Sequence, residues 1–227
     1  MTWLNQNWGL IAELTLTHLS IALPAILASI ALAIPLGWWA QRSKRAGGAL
    51  LTGLSVLYAI PSLPMLIAIP VIVGVALRSN LNMIIVLTVY GVAVLVRQVA
   101  EAFTAVPSAV LESADAAGFA PMRRFWTVEL PLALPVIVAG VRVVIVSTVS
   151  LVTVGAFIGV RSLGTLFTDG FQRGLVSEVV CGLVATVLLA LALDLIVIGV
   201  GYAATPWTRV RAETDSISRS PVTGAVA

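Results

Sequence analysis

The sequence predicts an all-α polytopic membrane protein: about five transmembrane helices, a cytoplasmic helical elbow, the N-terminus outside and the C-terminus inside. Three observations carry this. Only 10% of the 227 residues are charged and 59% are hydrophobic, against a charged share of about 25% in soluble domains. Uncharged stretches run from Leu14 to Gln41, Ala46 to Leu77, Ser79 to Val96 and Val143 to Val160. Each suffices for a hydrocarbon core of roughly 30 Å, which takes about 20 helical residues. Lastly, basic residues gather in alternate connections.

The first crossing reads as Leu16–Ala40. It has no basic leader, and its apolar run exceeds the roughly 7–15 residues of a signal peptide, so it is expected to stay as a membrane helix. Trp3 and Trp8 precede it and Trp38 and Trp39 close it, as expected of indoles at membrane surfaces. The second, Ala49–Leu77, contains Pro61-Ser62-Leu63-Pro64, where lost backbone hydrogen bonds predict a kink or break. The third is Asn82–Phe103. A polar connection at about 104–131 follows, then crossings at Leu132–Phe157 and Leu175–Ala203, interrupted by Arg142, Glu178 and Asp194. Residues 1–204 therefore form one membrane domain. Residues 205–227, rich in Ser, Thr and Arg, read as a disordered cytoplasmic tail.

With the N-terminus outside, inner connections hold Arg42, Lys44, Arg45, Arg123, Arg124, Arg209, Arg211 and Arg219; outer ones hold Arg78, Arg161 and Arg173. That imbalance fixes the expected orientation. It also accounts for the net charge of +3 without nucleic acid. Cys181 is the single cysteine, so no intrachain disulfide forms. One histidine, His18, reads as a polar residue near a membrane surface. Nothing in the chain suggests a metal site or catalytic constellation, and no G-x-x-x-x-G-K-[ST] phosphate loop occurs.

The connection reads Glu112-Ser-Ala-Asp-Ala-Ala-Gly-Phe-Ala-Pro-Met-Arg-Arg-Phe-Trp-Thr-Val-Glu-Leu-Pro131. Pro107 opens a short helix of good helix formers. Gly118 ends or bends it, and Pro121 starts a second element carrying Arg123 and Arg124. The result is a helix–glycine–helix elbow on the membrane face, with apolar residues for a partner's groove and charges for register. The segment resembles the E-A-A-x3-G-x9-I-x-L-P loop of binding-protein-dependent ABC importer permeases. Glu112, Ala114, Gly118, Leu130 and Pro131 match; Ser113 and Val128 depart mildly. Ala59 to Pro64, Val96-Arg97-Gln98, Pro131 to Pro135, Gly140-Val141-Arg142 and Phe157-Ile158-Gly159 further resemble the osmoprotectant branch, which imports glycine betaine, choline, carnitine and similar quaternary amines. Two departures stand out. Arg161-Ser162 replaces the branch's Gly-Gly at the outer mouth, and Gln98 replaces its Asn.

The resemblance implies a permease subunit that uses no cofactor itself, with ATP and magnesium on a partner ATPase dimer. It further implies a second permease, identical or homologous, an extracytoplasmic binding protein and a prokaryotic cell membrane. Glu112, Ser113, Ala114, Asp115, Gly118, Arg123, Arg124 and Pro131 are the candidate ATPase-coupling residues. Pro61, Ser62, Leu63, Pro64, Tyr90 and Phe157 are candidates for the pathway or gate, because broken helices and rare membrane aromatics mark passages. Arg97 and Glu101, four apart, are expected to pair on one helix face. They are grouped with Arg142 and Asp194 as structural charges near the cytoplasmic end. A methionine permease remains open as an alternative. An ion-coupled carrier would call for mid-membrane charges and internal repeats, and a membrane enzyme for a cluster of catalytic side chains.

Overall fold

A backbone in lipid must satisfy its own hydrogen bonds, so long apolar runs become helices. The computed structural model describes residues 7–207 and contains helices and no strand among them. The proposed tail, apart from its first three residues, and its arginines lie outside the described residues, as does Trp3.

Helix α1 spans Trp8–Arg42, starting well before the expected Leu16. The hydroxyls of Thr15, Thr17 and Ser20 donate back to carbonyls three or four residues earlier, so these polar side chains are satisfied within the helix. Only Ser43 separates it from α2 (Lys44–Ala59), and Gly47 lies against the backbone of Ala40 at this turn.

Helix α3 (Ser62–Val73) follows α2 at a bend of 110°. The break is narrower than the Pro61–Pro64 interval predicts. Ile60 and Pro61 alone are extended, while Ser62, Leu63 and Pro64 form the first turn of α3, where a proline sacrifices no helical hydrogen bond. The pair α2 and α3 remains a single broken crossing. Ser55, Ile60 and Leu66 bond in turn to Arg97, Tyr90 and Asn82 of α4 (Asn80–Thr104). That progression covers about 22 Å of the α4 axis without turning back.

After α4 come α5 (Ser108–Ala116) and α6 (Pro121–Arg124). A π-helical turn at Phe125–Glu129 leads into α7 (Leu130–Val154). The helix that carries the fourth crossing thus begins before the expected Leu132: α6, the π-turn and α7 run on into the short 3-10 turn Gly155–Ile158 as one continuous helix of 38 residues. The physical reason is the π-turn itself. The N–H of Leu130 reaches back to Phe125, and this wider loop accommodates the Pro131 ring without ending the helix. Helix α8 (Gly164–Gln172) and α9 (Val176–Ala204) complete the described chain.

Helix α4 is the central pillar, packed by α1 and α7 and flanked by α2 and α3. Its apolar window is 61% buried, whereas that of α9 is 0% buried, so α9 lies at the periphery. Gly37 against Val99, and Gly91 against Ser29, bring α1 and α4 into close contact, the small-residue packing that membrane helices favour. Arg42, Thr104 and Leu130 define the elbow end of the bundle; Trp8, Asn80 and Val154 define the far end.

Candidate functional site

The elbow takes its shape from Gly118. The residue has φ +77°. Phe119 N–H bonds to Ala114 O at 3.1 Å and Gly118 N–H to Asp115 O at 2.9 Å, the paired bonds of a left-handed helix cap. No atom lies within 4 Å of where a Gly118 side chain would start. The glycine is therefore demanded by backbone conformation, not by space. Ala114 is buried beneath the elbow, whereas Glu112, Ser113, Asp115 and Arg123 are exposed. Ser113 donates to Ala109 O at 2.7 Å. Arg123 lies over the Phe119 ring at 4.7 Å. Val110, Met122 and Trp126 also stand exposed, at 37%, 59% and 61%, giving the elbow an apolar face outside the bundle.

One buried acid ties this elbow to the first helix. Glu129, 4% exposed, accepts the indole N–H of Trp38 at 2.8 Å and the guanidinium of Arg42 at 2.9 Å. It also accepts Arg124 Nε at 2.8 Å, and Arg124 reaches on to the carboxylate of Asp115. The Arg42 guanidinium stacks over the Trp38 ring at 3.8 Å. Phe125 packs edge-on against Trp38 with centroids 4.8 Å apart, and Phe103 of α4 lies 5.8 Å from Phe125. Trp38 thus spends its N–H on Glu129 instead of on interfacial water. Pro131 sits in the first turn of α7, beside the π-turn that carries Glu129. The motif spacing marks Arg124 and Asp115; Glu129, a lone acid ahead of Leu-Pro, is the residue that spacing overlooks.

A second group surrounds the helix break. The Tyr90 hydroxyl donates to Ile60 O, satisfying a carbonyl that the break releases. Tyr58 packs edge-on against Tyr90 at 5.8 Å. Asn82 donates to Leu66 O at 3.0 Å and Leu77 O at 2.9 Å, stitching α3 and its exit to α4. Pro61, Leu63 and Pro64 are exposed, and Ser62 is half-buried.

The charges on the spanning helices differ from expectation in two respects. Arg97 donates to Ser55 Oγ at 2.9 Å; no ion pair joins it to Glu101 among the described residues. An arginine N-terminal to its acid is the weaker order for such a helix pair, and α2 offers a hydroxyl instead. Arg142 makes a two-pronged bond to Asp194, at 2.7 and 2.9 Å, linking α7 to α9. The pair lies about 20 Å of helix axis beyond Glu129, at mid-span and not near the elbow end. His18 is fully buried between helices and donates from Nε2 to Val149 O at 3.1 Å.

At the far end, Phe157 is 72% exposed on the 3-10 turn, remote from Tyr90, so the candidate pathway residues fall into two clusters. Arg161 pairs with Glu13 at 3.0 Å. Ser162 is fully buried; its Oγ accepts Gly164 N–H at 3.1 Å and lies 3.3 Å from Val152 O. The hydroxyl bridges the end of α7 to the first N–H of α8, a role a glycine cannot fill. Gln98 packs over Gly140 of α7. No group of three or more metal-ligating side chains occurs among the described residues.

Apolar spans around a central pillar, with an elbow anchored at one end, describe a helical membrane protein with an exposed, glycine-capped connection. Residues 30–210 match the model of the binding-protein-dependent transport system inner membrane component family. The chain belongs to this family, an ABC importer permease of the inner membrane. It is 30% identical over 194 residues to a glycine betaine/carnitine/choline transport system permease protein of Bacillus subtilis, covering 86% of this chain and 88% of that one. It is 29% identical over 183 residues to the glycine betaine/proline betaine transport system permease protein of Escherichia coli, covering 81% of this chain and 51% of that one. Among solved structures, a chain of the inward-facing MetNI methionine ABC transporter superposes with a TM-score of 0.75 at 22% identity, over 87% of this chain and 97% of that one.

Proposed function

We propose that this chain forms the membrane passage for a small quaternary amine osmoprotectant, delivered by an extracytoplasmic binding protein and driven by a partner ATPase. The observation that carries the reading is the elbow. A glycine-capped helix presents Val110, Met122 and Trp126 to the outside, flanked by Glu112 and Arg123, and a buried carboxylate fastens it to the bundle. Exposed apolar side chains ringed by charge suit a groove on another protein. With the elbow cytoplasmic, that protein is an ATPase subunit, which holds the ATP and magnesium.

Two permease chains, identical or homologous, would enclose the passage. Closure of the ATPase dimer would draw the two elbows together and turn the passage outward, and its opening would turn the passage inward. The tyrosine-held break at Ile60–Pro61 and the far-end Phe157 would be the segments that move. The cargo class rests on the curated relatives: between them their names give glycine betaine, carnitine, choline and proline betaine, all quaternary ammonium compounds.

The test is co-expression with a cognate ATPase and binding protein, reconstitution into liposomes, and uptake of labelled glycine betaine and choline. ATP-dependent accumulation of either, abolished without the binding protein, is the expected result. Uptake of methionine with neither amine transported would refute the cargo assignment.

A further inference from the structure

Half of the chain's phenylalanines converge on one place. Of the 6 in the sequence, Phe157, Phe167 and Phe171 line a single cavity of about 870 Å³ between the 3-10 turn, α8 and α9. Phe157 and Phe171 are 72% and 85% exposed, so packing within this chain leaves their ring faces available. Asp169 lies on the same wall, exposed and without an ion pair among the described residues. Two cations border the cavity. Arg161 on its rim is neutralised by Glu13 at 3.0 Å, and Arg78 lies against Gly159.

Aromatic faces beside a carboxylate are the chemistry that holds an onium ion. The ring quadrupole attracts a cation that has no N–H to donate, and the anion adds net charge. Aromatics that merely anchor a membrane helix are chiefly Trp and Tyr in the headgroup zone. Here the rings are all Phe, and they share one cavity with an unpaired acid.

We propose that this cavity is a receiving site for a small quaternary ammonium compound, at the end of the permease opposite the elbow. The proposal rests on the transport function above and extends it by giving the permease itself a share in selection. Phe157, Phe171 and Asp169 supply the contacts; Glu13 offsets Arg161 on the rim, and Arg78 beside Gly159 is the remaining cation at the border.

The experiment uses the assembled permease–ATPase complex in lipid nanodiscs without binding protein, with radiolabelled choline as probe. The competitor is the neutral carbon isostere of choline, in which a tert-butyl group replaces trimethylammonium. Saturable choline retention is expected, displaced by unlabelled choline and not by the isostere at equal concentration. D169N and the F157L/F171L double variant should each weaken retention about tenfold. All three side chains are exposed, so both variants should keep the parent's size-exclusion profile. Absent saturable retention, equal displacement by the isostere, or unchanged retention in both variants overturns the site. A separate uptake assay distinguishes the two readings. A complex that imports choline or glycine betaine with parental KM in both variants fails the site alone. A chain that neither assembles with the ATPase nor imports either amine fails the transport function, and the site falls with it.

Discussion

The carboxylate of Glu129 accepts the indole N–H of Trp38 at 2.8 Å, across 91 positions of sequence. This bond, with those from Arg42 and Arg124 to the same acid, fixes the angle between the elbow and α1. Replacing Glu129 by Gln keeps the shape but removes the charge and puts an amide donor among three donors. The expected cost is about 3–5 kcal/mol, the range for breaking a buried ion pair. A fall in the unfolding midpoint of the detergent-solubilised protein checks it, and an unchanged midpoint would show the hub to be energetically idle.

At Gly118 the elbow requires φ +77° without crowding any neighbour. Tolerance should therefore follow backbone preference and not size. Asn, which visits left-handed conformations, should retain most ATP-driven uptake. Ala should lose about 1 kcal/mol of elbow stability, and Val more. Uptake and ATPase rates measured together on the same proteoliposomes decide the order; equal behaviour of Asn and Val would contradict the conformational account.

Tyr90 closes the break by donating to Ile60 O. Tyr90→Phe leaves that carbonyl without its partner, at a cost of about 1–3 kcal/mol. Hydrogen exchange in α2 and α3 near residues 58–66 should quicken. If exchange there stays at the parent's rate, the break does not depend on the tyrosine.

The Arg142–Asp194 pair joins α7 to α9 at mid-span. A lone charge at that depth is costly and seeks a partner. Arg142→Leu or Asp194→Leu alone should lower the amount of folded protein in the membrane, and the double Leu variant should recover it. Additive losses in the double variant would mean that the two residues act independently.

Local features of this site were legible in the sequence, and long-range ones were not. Gly118 and Pro121 announce the elbow because a left-handed cap and a first-turn proline are set by neighbouring residues alone. The break at Ile60–Pro61 is announced in the same way, but the tyrosine that holds it sits 30 positions later. Glu129 looked like a filler position because its partners Trp38 and Arg42 lie on another helix. Each had a sufficient local explanation, one as an interface indole and the other as a positive-inside charge. Helix α1 outruns the expected crossing at its start because Glu13 bounds the uncharged run, whereas the backbone stays helical back to Trp8. Phe167, Asp169 and Phe171 sit in a short amphipathic turn whose spacing carries no signal until α8 folds beside α9.

The uninterrupted run from Pro121 to Ile158, 38 residues, is about 57 Å long at helical rise. Such a rod is a lever with its short arm in the elbow. A tilt of about 5° pivoting near the π-turn would sweep the other tip sideways by roughly 4 Å over the remaining length. That tip carries Phe157. A sub-ångström shift at the short arm is therefore geometrically magnified into a displacement comparable to the radius of a trimethylammonium group.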